Sequence, residues 1–170
     1  MDSEFNIYKA PEGDLSIPQA AVAEPILFST STPKLIVMYL CSFCFYGLYW
    51  FYKNWDCIST LEKRPYFSVI RAIFSVISSY DCFKKIFEEA DRYDIKVFTP
   101  AWLLALIYAL LNLSSKAPVS WYLLSFASFL PLIPANIAAR KVNEHCIEGF
   151  KKNSYFSRWN WLPIVPGGIF

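Results

Sequence analysis

The side chains best suited to chemistry in this chain are few and badly spaced for it. The one histidine, His145, stands in Asn143-Glu144-His145-Cys146-Ile147-Glu148, where Glu148 falls three positions on and shares its helical face. A metal site wants three or four ligands. Cys57, Cys82, Cys146 and His145 are the nearest approach to such a set, and no Cys-x-x-Cys pair outside apolar sequence supports it. Asp81-Cys82 sets an acid beside a thiol, but neighbours on a helix point about 100° apart and do not face one another. Gly-x-Ser-x-Gly elbows, phosphate loops and His-Glu-x-x-His pairs are absent. These residues predict no enzyme, no metal and no cofactor. Ser42, Asn112, Ser125, Ser128 and Asn136 stand inside apolar stretches, where polar groups either line a passage or hydrogen-bond between helices.

Those stretches dominate the chain. Residues 35–52, 97–115 and 117–139 carry no Asp, Glu, Lys or Arg. Each is long enough for a helix to cross a bilayer, which takes about 17–25 apolar residues. Of the 170 residues, 55% are hydrophobic and 18% charged, whereas a soluble domain is about 25% charged. A net charge of +2 without a recognition motif argues against nucleic acid. The five cysteines are odd in number and irregular in spacing, which argues against a disulfide framework; Cys41 and Cys44 read as small packing residues. The acidic start Met1-Asp2-Ser3-Glu4 is unlike a cleavable signal peptide.

The pattern predicts an all-α integral membrane bundle of three transmembrane helices, over about 35–52, 99–115 and 118–139, plus an amphipathic interfacial helix over about 66–93. A flexible acidic tail is expected over 1–33, with five acids to one lysine, and an aromatic interfacial tail over 153–170. Ile26-Leu27-Phe28 are expected at the headgroups. In the first span, Tyr49, Trp50 and Trp55 suit the membrane–water boundary. Gly47, one turn from Cys44, makes a low spot where a helix can approach. Pro65 suits the first turn of the amphipathic helix, whose later turns hold the pairs Lys84–Glu88, Lys85–Glu89 and Glu88–Arg92. As a fourth span this segment would sink Arg71 into hydrocarbon at a cost of roughly 2.5 kcal/mol or more. Pro131 and Pro134 should kink the third span and free the carbonyls of Ala127 and Leu130. Asn112 sits near the hairpin between spans two and three, Gly149 near the end of the last helix, and Trp159 and Trp161 in the C-terminal tail.

Basic residues number eight over 53–96 and five after 139, against two before 35 and one in the hairpin. The positive-inside rule then puts the N-terminus outside and the C-terminus in the cytoplasm.

Pro33-Lys34-Leu35-Ile36-Val37 followed by Tyr46-Gly47-Leu48-Tyr49-Trp50-Phe51-Tyr52-Lys53-Asn54-Trp55 resembles an uncharacterised group of small bacterial inner-membrane proteins. These carry a Gly-x-Tyr-Trp-Phe/Tyr-Tyr-Lys-like signature at the end of their first span. Arg71-Ala72-Ile73-Phe74 and Phe83-Lys84-Lys85-Ile86 are similar to the group's second segment. The resemblance implies a bacterial membrane location and supplies no activity to carry over.

The function expected is that of a non-catalytic multi-pass membrane protein acting through contacts with the lipid bilayer or with a membrane or cytoplasmic protein partner. The charged turns over 84–96 would be the protruding surface. The alternative is a small channel or transporter subunit working as a homo-oligomer.

Overall fold

The computed structural model describes residues 25–116 and 123–154. These residues are all-α, with six α-helices and no strand among them. The helices are α1 (Thr32–Cys41), α2 (Phe45–Glu62), α3 (Ser68–Ile73), α4 (Ser75–Arg92), α5 (Ala101–Leu113) and α6 (Leu132–Cys146). Two 3-10 segments, Ser114–Lys116 and Leu123–Phe129, lie between α5 and α6. No helix among the described residues is long and apolar enough to cross a membrane.

The reason is clearest over residues 35–52, expected as one span. The chain leaves the helical path at Phe43 and Cys44, both left-handed with φ of 49° and 71°. The Cys44 N–H donates to the Tyr39 carbonyl, and the Ser42 hydroxyl accepts from the Tyr46 N–H, so the turn satisfies the helix ends that it creates. The run is therefore two packed helices. The low spot at Gly47 is real, but the neighbour that uses it is α1. A Cβ on Gly47 would lie 2.7 Å from the Tyr39 ring.

The amphipathic segment 66–93 is likewise divided. Helix begins only at Ser68, three residues after Pro65, and breaks at Phe74. There the Ser78 hydroxyl donates to the Arg71 carbonyl at 2.6 Å, taking a place that the helical ladder would fill. Of the three expected ion pairs only Lys84–Glu88 forms; Lys85 crosses to Glu62 on α2, and Glu89 pairs with Arg92.

Pro131 does not kink a helix. It opens α6 after the 3-10 segment, and Pro134 sits in the first turn, where a missing N–H costs nothing. The carbonyls of Ala127 and Leu130, expected to be freed, accept from the N–H groups of Leu130 and Ile133. Gly149, with φ of 72°, turns the chain soon after α6.

The core is aromatic. Phe51 packs on Trp50, Phe83 and Tyr108 with ring centroids 5.2–5.8 Å apart, joining α2, α4 and α5. Ala135, Ala138, Ala139 and Val142 of α6 close it.

Candidate functional site

Two clusters gather chemically distinctive side chains. The first lies on α6. Asn136 and Asn143 are seven residues apart, hence on one face and about 10 Å apart along the helix. Both are buried. Each side-chain amide grips the main chain of the segment before α1. Asn136 accepts from the Thr30 N–H at 3.1 Å and donates to the Thr30 carbonyl at 2.7 Å. Asn143 accepts from the Leu27 N–H at 3.1 Å and donates to the Leu27 carbonyl at 2.6 Å and to the Ser29 hydroxyl at 3.1 Å. The two amides thus hold points three residues apart on that segment. Trp50 completes the arrangement, its indole N–H donating to the Asn136 oxygen at 3.2 Å.

Asn153 adds a third grip. Its carbonyl accepts from the Thr30 hydroxyl and the Ser31 N–H, and its side chain accepts from the Lys34 ammonium at 2.7 Å. Burial holds Lys34 below its ordinary pKa. Residues 25–31 thus belong to the fold and not to a tail. Leu27, expected at the headgroups, is fully buried. The three-span topology also requires residues 34 and 153 on opposite faces of a bilayer, whereas here they touch. Residues 1–24 and 155–170, with Trp159 and Trp161, lie outside the described residues.

The second cluster forms where α2 ends. The Ser59 hydroxyl donates to the Arg64 carbonyl and accepts from the Tyr66 N–H, folding loop 63–67 back over the last turn of α2. Tyr66 then lies against Trp55, centroids 5.6 Å apart and planes at 56°. The Arg71 guanidinium sits 4.3 Å from the Trp55 ring and 4.7 Å from that of Tyr66. Glu62 accepts from both the Tyr66 hydroxyl and Lys85. These bonds, Lys85 first, hold the Glu62 carboxyl below its usual range. Burial opposes the charge on Lys85, but its pairing with Glu62 leaves its pKa raised. Arg71 makes no ion pair or side-chain hydrogen bond among the described residues; the buried Trp55 N–H also lacks an acceptor there, as does the buried Asn54 side-chain carbonyl a donor.

Trp50, Trp55 and Arg71 of the expected site residues thus fall in these clusters. Cys44 and Gly47 build the α1–α2 turn, and Pro131 and Pro134 open α6. Tyr49 is half-exposed and packs edge-on to Phe28 at 5.6 Å. Asn112 stands apart, its amide donating to the Tyr108 carbonyl one turn back. Asn143 and Asn153 are the residues that sequence reasoning missed as binding groups. The signal for Asn143 was its seven-residue interval from Asn136 on one helix; Asn153, beyond the end of α6, carried none.

Among the described residues no group of three or more His, Cys, Asp or Glu side chains is gathered to hold a metal. The expected polar lining is consumed internally. Ser42 caps α2, Ser128 bonds the Tyr39 hydroxyl at 2.6 Å, and Asn136 is engaged by Thr30 and Trp50. No known protein family matches the chain, and neither does any curated protein or solved structure.

Proposed function

We propose that this is a non-catalytic membrane protein that seats its uncharged helices in lipid from one side and acts through contacts with lipid and with a protein partner. One observation carries the reading, the distribution of exposed apolar side chains. Phe43 and Phe45 at the α1–α2 turn, Phe67 just before α3, Ile77 on α4, and Leu110 and Leu113 on α5 are all exposed, Ile77 to 79%. With Leu61 as the exception, the large exposed apolar residues fall either in the three charge-free stretches or on residues 67–80. Large exposed apolar side chains in number mark surfaces that face lipid or a protein partner.

Re-entry suits these helices better than spanning. At 13 residues α5 is about 20 Å long, against about 30 Å of hydrocarbon. The turn at residues 42–44 brings the chain back toward the side it came from, and Phe43 meets Phe126 of the third charge-free stretch at 6.4 Å. The contact between Lys34 and Asn153 keeps the two outer ends of these regions together. The resemblance to small inner-membrane proteins agrees with a bacterial inner-membrane location, with the charged face over 84–96 turned to the cytoplasm. The channel reading gains nothing, because its polar groups are bonded within the fold.

The test is access to tags placed at residue 1 and residue 170, together with labelling by an impermeant thiol reagent. Both tags should be reached from the cytoplasmic side only, with Cys57 and Cys146 labelled from that side and Cys41 and Cys44 from neither. Tags on opposite faces, or recovery of the chain outside the membrane fraction, would overturn the proposal.

A further inference from the structure

Resting on that reading, we infer that Arg71 is the centre of a binding site for the phosphate of an anionic lipid headgroup. A guanidinium offers five N–H donors in a rigid fork suited to phosphate oxygens. In Arg71 none of these meets an acceptor among the described residues, although the group is fixed in place by the Trp55 and Tyr66 rings. Stacking leaves the in-plane N–H edges to a ligand while using only the π faces. Arginine that serves stability alone usually spends its fork on a carboxylate, and the one acid in the cluster, Glu62, is taken by Lys85 and Tyr66.

The surroundings suit the same ligand. Lys63 and Arg64 are exposed on the adjoining loop, and Lys85, paired with Glu62, lies 5.5 Å from the Tyr66 ring. Apolar residues near Arg71 in sequence are exposed, Phe67 at the start of α3 to 76% and Ile70 within it to 53%. A cation fork set among exposed apolar side chains matches the boundary where acyl chains meet phosphates. A soluble phosphate would need the cations but not Phe67 or Ile70. Glu62 is held by its two partners, so it does not compete for the fork.

The experiment is vesicle flotation of the full chain with phosphatidylcholine alone and with an equal mixture of phosphatidylcholine and phosphatidylglycerol. The wild type should bind the mixture more tightly. Arg71→Gln should lose about fifty-fold in affinity for the mixture, and Lys63→Gln, which removes only diffuse charge, about fivefold. Arg71→Lys should fall between them, because an ammonium keeps the charge and loses the fork. All variants should keep the wild-type affinity for phosphatidylcholine alone, which reports an intact fold.

Equal losses for Arg71→Gln and Lys63→Gln, or no loss for Arg71→Gln, would overturn the site. Inorganic phosphate titrated into the protein in micelles, followed by the NMR signal of the Arg71 side-chain N–H, separates the sources. A shift with phosphate and none with phosphatidylglycerol would overturn the lipid as ligand. Failure to bind phosphatidylcholine with Arg71-dependent binding to the mixture intact would sink the embedding proposal and leave the headgroup site standing.

Discussion

Single amides and single ring contacts decide much of this fold. Asn136 serves two main-chain groups of Thr30 and the indole of Trp50 from one buried side chain. Removing it strands buried donors and an acceptor, each costing about 1–3 kcal/mol. Asn136→Ala should therefore lower unfolding stability in detergent by about 3 kcal/mol, read by denaturant titration. Asn112→Ala, which breaks only a bond within its own helix, should cost less than about 1 kcal/mol. At Gly47 the added methyl would meet a Tyr39 ring whose hydroxyl is tied to Ser128, so the ring cannot swing away. Gly47→Ala should cost about 1–3 kcal/mol by overpacking, and Tyr39→Ala in the same chain should relieve part of that cost in a double-mutant cycle. The requirement for a small residue at 47 was legible in the sequence. The clamp was not, because an asparagine amide carries no mark of which distant backbone it will bind.

At the scale of helices, what surrounds a residue matters more than its propensity. Pro134 reads as a kink from sequence, yet lies in the first turn of α6. Pro134→Ala should change stability by less than about 1 kcal/mol, whereas Ala138→Pro, in the buried middle of the same helix, should cost about 3 kcal/mol or more, as thermal unfolding will report. The junction of α2 with α4 responds to pH through Glu62. Its carboxyl titrates below its ordinary value because Lys85 and then Tyr66 bond the ionised form. A depressed folded pKa adds stability that is present above the unfolded pKa and is lost as pH falls through the folded one. Glu62→Gln should flatten the stability profile on the acid side of about pH 5, by no more than about 1 kcal/mol, since both partners are partly exposed. The sequence marked α4 correctly as amphipathic and charged in its later turns. It mispaired Lys85, because ion pairs along one helix are visible in the sequence and those between helices are not.

Among the described residues the large exposed apolar side chains gather on the charge-free stretches and on residues 67–80, and that distribution supports the proposed seat in lipid. Replacing Phe43 and Phe45 together by aspartate places two charges at the exposed α1–α2 turn, where neither side chain belongs to the buried core. Flotation with phosphatidylcholine vesicles should fall at least about tenfold. Circular dichroism should stay near the wild-type helix content, because the turn is held by Tyr39 and Ser42. The sequence by itself determined the helical class, the position of every charge-free stretch and the absence of a recognisable catalytic constellation. These follow from composition and period, which are local. Only the tertiary structure decided that residues 35–52 make two helices, and that residues 25–31 are held by asparagines more than 100 positions away. The turn rests on left-handed phenylalanine and cysteine, where the usual signal would be glycine. The clamp rests on hydrogen bonds between groups whose encounter depends on how α6 returns to the start of the chain. A charge-free stretch of spanning length states how far a helix can run, whereas packing against the rest of the molecule fixes where it stops.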